Sequence, residues 1–169
     1  MKDTKRAPFQ VLVLPYRITA TRVLYAVFRR NRSTGSYWQG IAGGGEGSET
    51  PLAAARREAL EEAGIESKHF LRLKTLTMIA AFHIDAFRGS KDFFVLPEYC
   101  FGVRVEDREL SLSDEHTEYR WLSYKAATKI LHWDSNKTAL WELDARLQQM
   151  HDAASDKSRK RADRKKSLN

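Results

Sequence analysis

A single cysteine, Cys100, in a chain of 169 residues leaves no basis for a disulfide framework or a cysteine-based zinc site. Long apolar runs are also missing: no stretch approaches the roughly 18 continuous apolar residues needed to cross a bilayer. Met1 to Gln10 is charged and has no apolar signal core. A soluble, unexported protein in a reducing, cytoplasmic setting, with no membrane partner, is therefore expected. Internal repeats and long linkers are absent too. With 42% hydrophobic and 30% charged residues, the composition is that of one globular domain, which can bury about two-thirds of its unfolded surface.

The net charge of +7 is unevenly placed. Ser155 to Asn169 holds seven Lys or Arg against two Asp, so the remainder of the chain is close to neutral. That tail has almost nothing apolar to bury and no aromatic residues between its charges for bases to stack on. It reads as a solvated, mobile extension or frayed helix end. Residues 1–152 are thus assigned to the folded domain and 153–169 to a basic flexible tail, through which any contact with nucleic acid would have to occur.

Phe9 to Tyr16 and Arg22 to Phe28 are rich in β-branched and aromatic residues and predict two central strands joined near Ile18 to Thr21. Ser36 to Glu49 contains five glycines and is expected to be a shaped loop. Thr50 is a good N-cap, Pro51 suits the first helical position and Gly64 supplies a stop, so a helix is predicted over Thr50 to Ala63. Further strands are expected at Phe70 to Phe82, Phe93 to Val105 and Tyr119 to Leu122. Two helices follow, at Lys125 to Leu131 and at Ser135 to Met150, where Leu140, Leu143, Leu147 and Met150 recur at helical spacing. Strands mixed with a few helices predict an α/β sandwich with a mixed sheet.

On a wheel of the helix over Thr50 to Ala63, Glu58, Glu61 and Glu62 share one sector because they are spaced i, i+3 and i+4. Leu52, Ala53, Ala59, Leu60 and Ala63 fall opposite, which predicts that the glutamates point away from the sheet. Such an acidic face is ordinarily just solvated. Here, however, three like charges repel one another and two sit in the last turn, where the helix dipole disfavours them. A hard dication would relieve both costs, and magnesium in particular is held by a few carboxylates against substrate phosphates. The glycines before the helix let the backbone approach closely, so the Gly43 carbonyl could complete the metal shell and amides could meet phosphate oxygens. Arg57 is placed to orient Glu61 or Glu49.

Together, Gly43, Glu49, Arg57, Glu58, Ala59, Glu61, Glu62, Gly64 and Ile65 resemble the Nudix box: Gly, five residues, Glu, seven residues, then Arg-Glu-apolar-x-Glu-Glu-x-Gly-apolar. Every position fits, with Ala59 standing where a larger aliphatic residue is usual. A chance match at ordinary residue frequencies is on the order of one in ten million.

The resemblance implies an α/β/α sandwich and hydrolysis of a nucleoside diphosphate linked to another moiety. It implies that Glu58, Glu61, Glu62 and the Gly43 carbonyl surround magnesium, for which manganese could substitute, while Arg57 steers a glutamate. The general base is expected to be Glu58 or Glu115, the latter just before the strand at Tyr119, with His116 beside it. Glu115 is also a candidate metal ligand, and Glu98 a weaker one.

Val11 to Tyr16, Val23 to Arg30, Trp38-Gln39, Glu115-His116, Tyr119, Trp121-Leu122, Trp133 and Ser135-Asn136 are similar to the dihydroneopterin triphosphate and deoxynucleoside triphosphate pyrophosphatases of that family. The likeness implies a small-molecule nucleoside or pterin polyphosphate substrate and a monomer or homodimer. Trp38 or Tyr37 and Trp133 would stack on the heterocycle, Arg29 or Arg30 would meet the triphosphate, and Asn136 would line the substrate site. Dinucleoside polyphosphates or an RNA 5' end are the alternative substrates, and a non-catalytic nucleotide-sensing domain is the alternative of another class.

Overall fold

The computed structural model describes residues 6–31, 36–106 and 109–166. Its seven strands form one mixed sheet around β1 (Arg6–Ile18). The C-terminal end of β1 pairs antiparallel with β2 (Val23–Arg30), while its N-terminal half pairs antiparallel with β4 (Ile41–Glu46). Along its other edge β1 runs parallel to β6 (Val95–Arg104), from Gln10 opposite Glu98 to Tyr16 opposite Arg104. β5 (Phe70–Ala80) pairs with β6, while β3 (Tyr37–Gln39) and β7 (His116–Leu122) both pair with β2.

Alternation along β1 divides the core into two layers. Val11 and Val13 pack with Phe28, Ile41 and Phe101 beneath α1 (Pro51–Ala63). Leu12 and Leu14 face the other way, toward α2 (Tyr124–Ile130) and the Ala139, Leu140, Leu143 and Leu147 stripe of α3 (Asp134–Lys166). Because β1 is covered on both faces, it reads as a continuous apolar run rather than as an alternating one. The result is the expected α/β/α sandwich with a mixed sheet.

Several boundaries differ from the sequence reading. The stretch expected as a loop, Ser36 to Glu49, instead contains β3 and β4. Glycine has little strand propensity of its own, and only the pairing of β4 with β1 makes the segment extended. β5 ends at Ala80, followed by short 3₁₀ turns at Ala81–His83 and Asp85–Phe87, and β6 begins at Val95. β7 begins three residues earlier than expected, at His116. α3 passes Met150, which is exposed, and continues to Lys166 within the segment read as a tail. Residues 1–5 of the expected domain and 167–169 of the tail lie outside the described residues.

Both ends of α1 form as predicted. Thr50 Oγ1 accepts from the Ala53 amide, and Gly64 adopts the left-handed region at φ 64°, where a side chain would be strained. Of the face expected to pack on the sheet, Ala59 and Ala63 are fully buried, but Leu52, Ala53 and Leu60 are exposed, and Ala54, Ala55, Glu58 and Glu62 are buried instead. Small side chains let the helix lie close to the sheet, and this close packing carries Glu58 and Glu62 inward rather than away from it.

Candidate active site

The turn before α1 is tied to the helix by Arg57. Its Nε and Nη2 donate to the two oxygens of Glu49 at 3.0 and 3.1 Å, and Nη2 also donates to the Gly44 carbonyl at 2.8 Å. Nη1 reaches Glu58 at 2.9 Å and Glu61 at 3.0 Å. Arg57 therefore engages both partners expected from the sequence, Glu49 and Glu61, and Glu58 as well. Glu49 accepts in addition from the Glu46 amide, and its hydrogen bonds to Arg57 hold its carboxyl below the usual range.

The three helix glutamates occupy different environments. Glu61 is largely exposed, while Glu58 and Glu62 retain 6% and 4% of their accessible surface. Burial raises the Glu58 carboxyl despite the adjacent Arg57. Glu62 is pushed up to about 8, first by burial and then by the nearby Glu58 and Glu115, although the Ala42 amide donates to it. Its Oε2 has no hydrogen-bond partner among the described residues. The nearest candidate, Nδ1 of His116, lies 3.6 Å away, beyond a normal hydrogen bond. Burial and Arg30 lower His116 to about 4, so near neutral pH the two groups are an uncharged pair rather than a salt bridge.

Gly43 packs directly on this cluster: a Cβ at that position would overlap the Glu58 carboxylate. Among the described residues, no three acidic or histidine groups form a ready-made metal cage, since Arg57 holds Glu58 and Glu61 while Glu62 faces His116. The donor set nevertheless fits a hard dication. Two buried carboxylates, one with an orphaned oxygen, lie beside a close backbone and are poorly compensated as they stand.

A cavity of about 930 Å³ borders the same glycine. Arg6 and Arg30 line it near Gly43, and Tyr37, His132 and Trp133 form an aromatic rim, with Tyr37 and Trp133 edge to face at 5.5 Å. Gln39, Glu98 and Asn136 are its buried polar residues. Asn136 Oδ1 accepts from the Gly40 amide at 2.9 Å, which fixes the orientation of the side chain.

The structure brings Arg30, Tyr37, Gly43, Trp133 and Asn136 to this cavity, but not Arg29 or Trp38. Arg29 bonds Ser36 and approaches Glu118, because neighbouring residues of a strand project to opposite faces and Arg30 takes the cavity side. Trp38 packs on the α2 and α3 side of the core, with the Arg120 guanidinium over its ring. Glu115 pairs with Arg30 at 2.7 Å, which brings it to the edge of the glutamate cluster. His83 also reaches the cavity.

Sequence reasoning missed Arg6. It lines the cavity beside Gly44 and carries positive charge toward Glu58 and Glu49. Its place follows from the β1–β4 register, where Arg6 faces Glu46, and no local motif announces that pairing.

An α/β/α sandwich with a glycine-rich strand, an arginine-tethered acidic helix and a cavity opening beside them has the parts that cleavage of a phosphoanhydride bond requires. The NUDIX domain family matches residues 9–141, and the chain belongs to that family. A Listeria monocytogenes protein assigned as a Nudix hydrolase is 38% identical, with a TM-score of 0.75 over 85% of this chain and 96% of that one. The Escherichia coli dihydroneopterin triphosphate pyrophosphohydrolase (23%, TM-score 0.70, 85% and 99%) and a Caenorhabditis elegans Ap4A hydrolase (19%, 0.63, 85% and 99%) share the fold. Among the described residues, no helix is long and apolar enough to cross a membrane.

Proposed function

We propose that this Nudix hydrolase converts a nucleoside-triphosphate-like substrate, dihydroneopterin triphosphate or a purine deoxynucleotide, to its monophosphate and pyrophosphate. The observation that carries this reading is the position of Gly43, which separates the Glu58 carboxylate from a cavity with an aromatic rim and two arginines. A heterocycle at Tyr37 and Trp133 would leave its polyphosphate directed toward Arg6, Arg30 and Gly43.

Glu58, Glu61, Glu62 and the Gly43 carbonyl, joined by Glu115, would hold magnesium. When bound, the metal supplies charge neutralisation to the phosphate oxygens and acidifies water. Arg57 keeps Glu58 and Glu61 in place, and Arg30 holds Glu115 at the edge of the cluster. Glu58 or Glu115 accepts the proton of the attacking water as the water oxygen bonds to phosphorus. The anhydride P–O bond breaks, and pyrophosphate departs with its electron pair. Burial, which raises the Glu58 carboxyl, moves it toward the range useful for a base.

A panel of dihydroneopterin triphosphate, deoxynucleoside triphosphates, diadenosine tetraphosphate and 5'-triphosphorylated RNA, assayed with magnesium and with EDTA, tests the assignment. Pyrophosphate release from the first two classes, lost in EDTA and in Glu62→Gln, is expected. Full activity of Glu62→Gln would overturn the site assignment, and preferred turnover of the last two would overturn the substrate class.

A further inference from the structure

We propose that Glu98, with Asn136, reads the edge of the bound heterocycle and selects an amino-lactam such as guanine or a pterin over adenine. The proposal rests on the preceding reading that a heterocyclic polyphosphate occupies the cavity, and it narrows which heterocycle is taken.

Glu98 is a carboxylate in an unfavourable place. It lies on β6 in register with Gln10 of β1 and Thr77 of β5, both of which also line the cavity. Only 4% of its surface is accessible, and Oε1 has no hydrogen-bond partner among the described residues. Among the described residues, the Ser135 hydroxyl is the one group that favours its charged form, and no cation offsets the burial that pushes the carboxyl up to about 7. A glutamine or an apolar residue would fill the same volume without that cost. Nor does the glutamate cluster explain it: Glu98 is absent from the interactions that perturb Glu58 and Glu62.

The neighbouring Asn136 has a fixed orientation. Its Oδ1 is taken by the Gly40 amide, so the side chain presents Nδ2, whose contact with Ser135 Oγ is long at 3.4 Å and uses only one of two protons. Toward a ligand, Asn136 is a donor and Glu98 a pair of acceptors. An amino-lactam edge has the complementary order: a carbonyl acceptor, a ring N–H and an exocyclic NH₂. Nδ2 donates to the carbonyl, and the two adjacent N–H groups donate to the carboxylate, so the ligand supplies the compensation that burial withholds. Adenine instead offers a ring nitrogen acceptor beside its amine, which sets a lone pair against an oxygen of the ionised carboxylate, the form that the two N–H groups of an amino-lactam stabilise. Discrimination of this kind is strong because the mismatched ligand leaves a buried polar group unpaired.

The test compares wild type with Glu98→Gln. Calorimetry with dGMP and dAMP reads recognition without hydrolysis, and kcat and KM for dGTP, dihydroneopterin triphosphate and dATP read it with hydrolysis. The wild type is expected to favour dGMP over dAMP, and Glu98→Gln to weaken dGMP binding roughly ten- to a hundred-fold, the range of one bidentate base contact. In turnover, the loss should appear in KM for the amino-lactam substrates and leave dATP little changed. Equal wild-type affinity for dGMP and dAMP, no binding of dGMP, or an equal loss on all substrates would overturn the proposal. Selective dGMP binding without any pyrophosphate release would refute the hydrolytic assignment while supporting this one. Thermal melting of Glu98→Gln, in which removal of a buried carboxylate should preserve or raise stability, confirms that the variant is folded.

Discussion

Gly43 and Glu58 are packed so closely that no side chain can stand between them: the smallest substituent at residue 43 would occupy the space of the carboxylate. The Nudix glycine is thus placed by a packing constraint. Its φ lies outside the left-handed region, so no special backbone conformation demands it.

Gly43→Ala should therefore leave the sandwich folded while displacing Glu58. Misplacement of a reacting group by about 1 Å costs on the order of a hundredfold in rate. A fall of that size in kcat, with a melting curve close to wild type, is the expected outcome. Unchanged kcat would mean that the Glu58 position is immaterial to the reaction.

Arg57 makes four kinds of contact with one planar guanidinium: with Glu49, with the Gly44 carbonyl, with Glu58 and with Glu61. Lysine can replace the charge but not the fork. Arg57→Lys is expected to lose stability by about 1–3 kcal/mol, the range for charged hydrogen bonds, and to lower kcat more than it changes KM. Chemical denaturation together with steady-state kinetics checks both parts.

The two tryptophans expected to stack on substrate are separated by the structure and should separate in experiment. Trp133 stands at the cavity rim, partly exposed, and Trp133→Ala should raise KM with little change in stability. Trp38 is half-buried against the α2 and α3 core, and Trp38→Ala should cost about 1–3 kcal/mol, less than a fully buried tryptophan, with KM nearly unchanged. The reverse pattern would exchange their roles.

What the sequence made legible was local. Thr50, Pro51 and Gly64 mark both ends of α1 through backbone chemistry that acts within one turn. Helical spacing and the helix entry likewise offered Glu61 or Glu49 as the partner of Arg57, which meets both. What it concealed depends on pairing across the sheet. The choice between Arg29 and Arg30 is a matter of strand face, which a one-residue shift inverts. The arrival of Arg6 beside Gly44 requires the β1–β4 register. The wheel placed Leu52 and Leu60 inside with Ala59 and Ala63, whereas close helix-to-sheet contact kept the alanines, turned the leucines out and brought two glutamates in. Expected as a loop, β4 becomes a strand only through its partner.

Glu62 gives the site a pH signature that can be read without substrate. Its carboxyl is raised to about 8 by burial and by Glu58 and Glu115, far above the 4.5 of the unfolded chain. The folded protein therefore binds a proton there that the unfolded chain releases, and the associated stability is present below pH 4.5 and is lost as pH rises through 8. His116 acts in the opposite sense: lowered to about 4 from 6.5, it destabilises the fold as pH falls below 6.5. The two effects overlap at acidic pH, and the Glu98 carboxyl, raised to about 7, contributes in the same sense as Glu62 up to that pH, so the window from 7 to 8 isolates Glu62. In EDTA, the wild-type melting temperature should fall across that window, and Glu62→Gln, which cannot ionise, should fall less. Magnesium replaces the proton as the compensating charge, so the stabilisation it confers on the wild type should increase with pH over the same interval and be reduced in the variant. Identical slopes for both proteins in EDTA would show that Glu62 is already ionised and compensated in the metal-free fold, which would remove the physical reason for a dication at this position.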